Sequence, residues 1–178
     1  MATVNGNIDL LKDRFKDWCR PNLFTIDMRP PQGVAYTDGE YIETAVFGAT
    51  LPSMTIGEIP LLRMGVKVPI PGDVQYGDFS ITFGNDVEVK VRNFFYDWVK
   101  TRVNDFEKNK NGIPGNALMS DITVKQLDGK LNVVQKIRVY HCWPSSIAEI
   151  ALSTDTENTI ETFQVNFAYS YYRINPKD

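Results

Sequence analysis

The clearest alternation of apolar and polar positions lies near the C-terminus of the chain. In the segment 159–171, every odd position after Glu161 is apolar or aromatic, namely Phe163, Val165, Phe167, Tyr169 and Tyr171. A period of two predicts a β-strand with one buried face. Taken as one strand, this segment would span about 40–45 Å, roughly the diameter of a domain of this size. We therefore expect it to curve with a barrel or to pair beyond its own subunit.

Shorter strand patterns recur along the rest of the chain, bounded by turn residues. They predict strands over residues 22–28, 41–47, 62–70, 76–83, 121–127, 131–140 and 147–152. Asp128-Gly129-Lys130 between two of these segments is a strong hairpin signal. Pro71-Gly72-Asp73 predicts the turn that joins strands 62–70 and 76–83. Most of the chain is therefore predicted to be antiparallel β-structure.

Two segments have the spacing of three to four residues that is typical of an amphipathic helix. The first covers Ile8–Trp18 and ends before Pro21. The second begins after Asn85, which with Glu88 predicts a capping box. Its apolar face consists of Val91, Phe94, Phe95, Trp98 and Val99, extended by Val103 and Phe106. Lys108–Gly115 predicts a flexible loop after it.

These elements predict the fold class. We expect a mainly β domain, a β-barrel or two-sheet antiparallel sandwich, with one long flanking helix and a short N-terminal helix. The 178 residues suffice for one well-packed domain, so the domain is taken as residues 1–178.

Residues 48–60 fit neither a helix nor a strand pattern. The segment combines small residues with apolar ones and two prolines, and its candidate contact residues are Leu51, Pro52, Met54, Ile56, Ile59 and Pro60. One interpretation is a surface loop folded onto its own domain. The other is a docking loop, because apolar side chains are costly to leave in water.

Composition excludes several functions. The net charge of −3 argues against a protein that binds nucleic acid by neutralising phosphates. No stretch approaches the length of a membrane span, and the first residues do not resemble a secretory signal. Two cysteines, Cys19 and Cys142, cannot make a disulfide framework, and they favour a reducing compartment.

Candidate chemistry is sparse as well. His141, the single histidine, precedes Cys142, but neighbours on a strand point to opposite faces, so we do not expect a nucleophile and its base. Asp73, Asp78, Asp86 and Glu88 could be imagined as a carboxylate site, yet turn and helix-start roles explain them better. We expect no enzyme activity, metal site or cofactor.

Charge is distributed unevenly along the chain. Residues 144–172 contain four acids and no lysine or arginine, whereas residues 48–71 sum to +1, from Arg63 and Lys67 against Glu58. Complementary patches on one chain suit a head-to-tail assembly, although ordinary solvated faces would explain the charges equally well.

Several short motifs, spread over nearly the whole chain, resemble the tail tube proteins of contractile-tailed, T-even-type bacteriophages. They are Arg20-Pro21-Asn22-Leu23-Phe24, Leu51-Pro52 with Ile59-Pro60, Phe95 with Trp98, Trp143-Pro144-Ser145 with Glu149-Ile150, and Ile160-Glu161-Thr162-Phe163-Gln164-Val165. The segment Lys108–Gly115 and the tail Arg173–Asp178 depart from the family pattern.

The resemblance implies a structural virion protein. Such subunits form homohexameric rings that stack into a rigid tube, which lies inside the tail sheath and conducts the genomic DNA without binding it specifically. It further implies partners in the sheath, baseplate and tape-measure proteins, and assembly in the host cytoplasm. Residues 48–60 would contact neighbouring subunits or rings, and the hairpin matching 62–83 would help to build the lumen wall, whose facing residues are not assigned. The type VI secretion tube protein is similar, so a secretion-tube component or a ring at one end of the tube, a baseplate initiator or a terminator, remains an alternative.

Overall fold

The computed structural model describes residues 19–31, 34, 39–100, 117–155 and 159–176. The predicted N-terminal helix, the loop at Lys108–Gly115 and the helix extension at Val103 and Phe106 lie outside these ranges. The strands are β1 Phe24–Met28, β2 Val46–Thr50, β3 Met54–Arg63, β4 Val66–Tyr76, β5 Phe79–Gly84, β6 Ser120–Leu127, β7 Val133–Ile147, β8 Thr162–Ala168 and β9 Tyr171–Ile174. The helices are α1 Gly39–Thr44 and α2 Lys90–Trp98.

Every strand pairs antiparallel with its neighbours, in two sheets. Seven strands form one sheet in the order β1-β6-β7-β8-β5-β2, and β9 pairs with the first half of β7. The second sheet contains only β3 and β4. The predicted mainly β, two-sheet antiparallel fold is confirmed.

A bend in β7 allows one long strand to serve both halves of the larger sheet. Its first half pairs with β6 and β9, and its second half pairs with β8. At the bend, His141 has a positive φ of 58°. The buried positions change there from odd to even, from Val139 to Cys142. An extra residue in a strand produces this shift and turns the strand.

The predicted single strand over 159–171 is divided at the same place. β8 carries the alternation, since Phe163, Val165 and Phe167 are buried, but it ends at Ala168. The Ser170 N–H then donates to the Tyr140 carbonyl at the β7 bend, and β9 begins at Tyr171. The chain therefore follows the bend of β7, which is how this segment fits within one domain.

The aromatic part of the core lies where α2 packs against the second half of the sheet, and buried residues of β1, β6 and the first half of β7 extend the core. Val91, Phe94, Phe95 and Trp98 are buried, as the helical spacing predicted. The Phe95 ring lies 4.8 Å from the Phe83 ring and 6.0 Å from the Phe167 ring, measured between centroids. Edge-on and tilted ring pairs of this kind add to the free energy gained by burial.

The predicted capping box at the start of α2 is wrong. The helix begins at Lys90, whose N–H donates to the Asp86 carboxylate at 3.0 Å. The Asn85 side chain instead donates to Glu161 at 2.6 Å, and Glu88 forms an ion pair with Lys90. Because the Asn85 side chain is bound to Glu161, it does not cap the helix. Asp86 instead accepts the hydrogen bond from the first N–H of the helix.

Three predicted strands need correction. The segment 62–70 contains the turn at Met64-Gly65, so its residues are divided between β3 and β4. The segment 41–47 begins with α1, because Ile42 is buried and Glu43 accepts a hydrogen bond from the Met28 N–H of β1. Residues 148–152, predicted to belong to a strand, lie beyond the end of β7, although the Ala148 N–H still donates to the Gln164 carbonyl of β8 at 2.8 Å. By contrast, the hairpin at Asp128 is confirmed, since its carboxylate accepts hydrogen bonds from Lys130 N–H and Asn132 N–H, each 2.8 Å.

Candidate assembly surfaces

His141 and Cys142, the two residues considered as a nucleophile and its base, do not face each other. No group of three or more His, Cys, Asp or Glu side chains in the described ranges could hold a metal ion. His141 is exposed at the β7 bend, where its N–H donates to Asp121 and its ring lies 3.3 Å from the Ser170 hydroxyl. Cys142 is buried on the other face, and burial raises the pKa of its thiol to about 12. Their separation on opposite faces is confirmed.

The four carboxylates considered as a site have separate surroundings. Asp73 is exposed on β4, and Asp78 is exposed in the connection to β5. Asp86 and Glu88 lie at the start of α2, with the partners described above. No helix in the described part of the chain is both long and apolar enough to cross a bilayer.

The most unusual surface is the two-stranded sheet, which we call the arm (residues 54–76). Of the 21 large hydrophobic side chains exposed among the described residues, 11 belong to the arm. They are Met54, Ile56, Ile59, Leu61, Leu62, Met64, Val66, Val68, Ile70, Val74 and Tyr76. Such a concentration of exposed apolar surface marks a site of interaction.

The arm replaces the predicted loop over 48–60 and the predicted turn at Pro71-Gly72-Asp73, both of which are wrong. The true turn is Met64-Gly65, where both residues have positive φ, as a tight two-residue hairpin requires. Pro71 and Gly72 lie inside β4, where the register shifts between Ile56 and Glu58 of the opposite strand. A β-bulge at this register shift accommodates Pro71 and Gly72 within the strand. The turn was not predicted from the sequence because its first position is a methionine, which is not a typical turn residue.

The six candidate contact residues divide between the arm and the body. Met54, Ile56, Ile59 and Pro60 are exposed on β3. Leu51 is half-buried and packs against the core, and Pro52 is buried. The arm therefore presents four of the six, together with the side chains of β4, which sequence reasoning did not include.

The two faces of the outer half of the arm differ. Opposite pairs Ile59–Ile70, Leu61–Val68 and Arg63–Val66 share one face, which we call the aliphatic face. The other face carries Leu62 and the Pro60–Pro69 pair, and there Lys67 and Glu58 form a 3.0 Å ion pair. One face is thus nearly all aliphatic, with the Arg63 cation close to the turn.

Aromatic side chains hold the base of the arm. The Tyr76 ring lies 6.1 Å from Tyr169 and 5.6 Å from Tyr172, measured between centroids. The Tyr169 hydroxyl donates to the Gly77 carbonyl at 2.6 Å, and the Gly77 N–H donates to Ser53 at 2.9 Å. Burial raises the pKa of the Tyr169 hydroxyl to about 12, so it remains a donor at neutral pH. These contacts fix the direction in which the arm leaves the body.

Tyr169→Phe tests this clamp. The variant keeps the ring contacts but loses the hydroxyl bond, and we expect a loss of about 1 kcal/mol in the free energy of unfolding. Amide hydrogen exchange should become faster at Gly77, while Tyr140→Phe, on another part of the sheet, should leave that rate unchanged. Unchanged exchange at Gly77 in Tyr169→Phe would contradict the clamp.

A second surface lies between the end of β7 and the start of β8. Residues 150–153 and 159–162 line an open depression of about 370 Å³, which we call the cradle. Leu152 is 83% exposed and Ile160 is 62% exposed. Glu149 next to Ile150 and Asp155 next to the cradle are also exposed, and Glu161 is half-buried. The cradle thus combines apolar side chains with acidic neighbours.

A mainly β body with an exposed apolar arm defines a class of protein whose surface is suited to association with other protein surfaces. A profile of the family described as "Phage tail tube protein" matches residues 19–175. The chain belongs to the phage tail tube protein family. It is accordingly a structural protein of the tail tube, in the tail of the virion.

The sequence relatives of this chain include tail tube proteins of other phages. The tail tube protein gp19 of Enterobacteria phage T4 is 27% identical over 156 residues, which cover 88% of this chain and 91% of that protein. The tail tube protein of Serratia phage KSP90 is 25% identical over 118 residues, 66% of each chain.

Solved structures show the same fold at low sequence identity. A chain of the anti-feeding prophage baseplate matches with a TM-score of 0.65 and 10% identity, covering 89% of this chain and 96% of that one. A chain of the extended sheath–tube complex of the PVC extracellular contractile injection system matches with a TM-score of 0.60 and 12% identity, covering 93% and 96%.

Proposed function

We propose that this chain, a single domain over residues 1–178, is the repeating subunit of a rigid inner tail tube. Six subunits form a ring, and rings stack into a tube through which the genomic DNA passes without specific binding. The arm carries this proposal, because it concentrates exposed apolar side chains that a monomer would leave in water.

The candidate contacts follow from the arm. Met54, Ile56, Ile59 and Pro60 contact a neighbouring subunit or ring, together with exposed residues of β4. Leu51 and Pro52 support these contacts from the body, since they connect β2 to the arm and lie partly or fully buried. Their role is to position the arm rather than to touch a partner.

The partners follow from the tube's place in a contractile tail. The subunit binds copies of itself, and its tube meets a sheath, a baseplate and a tape-measure protein, after assembly in the host cytoplasm. The similar chain from a sheath–tube complex supports a place inside a sheath. We propose no enzymatic activity, since the exposed His141 and the buried, protonated Cys142 thiol lie on opposite faces.

A second candidate is a ring at one end of the tube. The fold is equally similar to a chain of the anti-feeding prophage cap, with a TM-score of 0.62. The two functions differ in whether the interface repeats without limit. A terminator or initiator ring would present one face to the tube and a different face to another component. A further alternative, a tube component similar to that of type VI secretion, would differ from a phage tail tube in its cargo.

Negative-stain electron microscopy of the purified full chain tests the proposal. We expect rings with six-fold class averages and, at rising protein concentration, tubes of variable length. Single or paired rings at every concentration would favour an end ring. A monomer that never associates, at any concentration or ionic strength, would contradict the proposed function.

A further inference from the structure

The arm and the cradle lie at opposite ends of the same strands. The arm connects to the start of β5, where Phe79 pairs with Phe167 of β8. The cradle connects to the other end, where Gly84 pairs with Thr162. β5 has six residues, so these two ends are separated by roughly 17–20 Å. A copy placed beyond the arm end would present its own cradle toward the arm if it had the same orientation.

Prolines restrict how the arm can bind. Pro60 and Pro69 are directly opposite each other, and neither has an N–H to donate. Their pair must be a non-hydrogen-bonded one, so both nitrogens lie along the outer edges of the arm, as does that of Pro71 two residues along β4. An edge without these donors is a poor template for strand addition. The prolines therefore favour contact through a side-chain face of the arm over strand addition at its edges.

The aliphatic face and the cradle are complementary. The face offers Ile59, Leu61 and Val68, while the cradle offers exposed Leu152 and Ile160. Arg63 lies at the end of the aliphatic face and has no acidic partner among the described residues. The chain around the cradle contains acids and no lysine or arginine from residue 144 to residue 172. Apolar surface would thus meet apolar surface, with opposite charges at the rim.

We propose that the aliphatic face of the arm docks in the cradle of a second copy of this chain. The inference rests on the proposed function, and it specifies how one subunit contacts the next. Because the two surfaces differ, the contact is heterologous and leaves a free arm at one end and a free cradle at the other. Growth can continue from both ends without a further component.

Disulfide cross-linking in assembled particles tests this contact. In a Cys19→Ser background, Leu61→Cys on the aliphatic face is combined with Leu152→Cys in the cradle. We expect a ladder of dimers, trimers and higher multimers on a non-reducing gel. The matched control combines Leu152→Cys with Leu62→Cys, the next residue on the opposite face, and should give at most about one tenth of the cross-link, since strand neighbours point to opposite faces. If Leu61→Cys does not assemble, Val68→Cys, directly opposite on the same face, replaces it.

The outcomes separate this contact from the function as a whole. Tubes that give no ladder, or equal ladders from both faces of the arm, would overturn the arm–cradle contact and leave the tube function standing. A wild-type chain that forms neither rings nor tubes would overturn both. As a second measurement, Arg63→Glu should reduce the amount of cross-linked multimer several-fold, and adding Glu149→Arg in the same chain should restore it. A ladder insensitive to both changes would exclude Glu149 as the partner of Arg63.

Discussion

We expect the replacement of both Ile59 and Leu61 by aspartate to raise, at least ~30-fold, the protein concentration at which rings assemble into tubes, and to leave the subunit folded. Both side chains lie on the aliphatic face and are more than half exposed, at 54% and 52%. The folded monomer therefore loses little, and we expect the free energy of unfolding to change by less than about 0.5 kcal/mol per site. In the assembly the same positions would bury an unpaired carboxylate, which costs several kcal/mol.

The measurement is the protein concentration at which tubes appear, followed by sedimentation and electron microscopy. A loss of about 2 kcal/mol per contact, typical of a central interface residue, raises that concentration at least ~30-fold. Val133→Asp with Val134→Asp is the matched control, because those β7 residues are 54% and 50% exposed but lie away from the arm. Tubes that form at the wild-type concentration in the arm variant would refute the role of the aliphatic face.

Leu51→Asp is a different case, and it shows why burial must guide the choice of variant. Leu51 is half-buried against the core, so a carboxylate there destabilises the subunit itself. Lost assembly in that variant would report unfolding and would not identify a contact.

Phe95→Ala has the second large effect, on stability. The ring is fully buried and lies within 6.4 Å of the ring centroids of Phe83, Phe94, Trp98, Phe163 and Phe167. Removing it leaves a cavity, and we expect a loss of about 3–5 kcal/mol in the free energy of unfolding. That is a large part of the stability of an ordinary domain.

Chemical denaturation monitored by circular dichroism measures this loss. Tyr96→Ala, at the next position of α2 and 50% exposed, is the control and should lose about 1 kcal/mol or less. Similar losses in the two variants would mean that α2 does not pack as described. In contrast to the arm variant, Phe95→Ala should lower stability and assembly together.

Local patterns predicted those elements whose own side chains determine their structure. The spacing of Val91, Phe94 and Trp98 predicted the buried face of α2, because a helix brings these positions to one side. The alternation through Phe163 and Phe167 predicted β8, and Asp128-Gly129-Lys130 predicted the hairpin between β6 and β7.

Other elements depended on partners that are distant in the chain. The strand predicted at 41–47 begins with a helix because Ile42 reaches the core and Glu43 reaches Met28 of β1. The capping box failed because Asn85 bonds to Glu161, which lies 76 residues away. No window of sequence contains such a partner.

The candidate surface shows the same division. The apolar residues between Leu51 and Pro60 already indicated a segment that is costly to expose to water. The single histidine and the small net charge predicted no catalytic site. Only the folded chain made that segment one strand of an arm, removed Leu51 and Pro52 from the exposed set, and added the side chains of β4. Composition determines how much apolar surface a chain must cover. The pairing between strands decides which part of that apolar surface the chain buries in its own core and which part stays exposed for a neighbouring subunit.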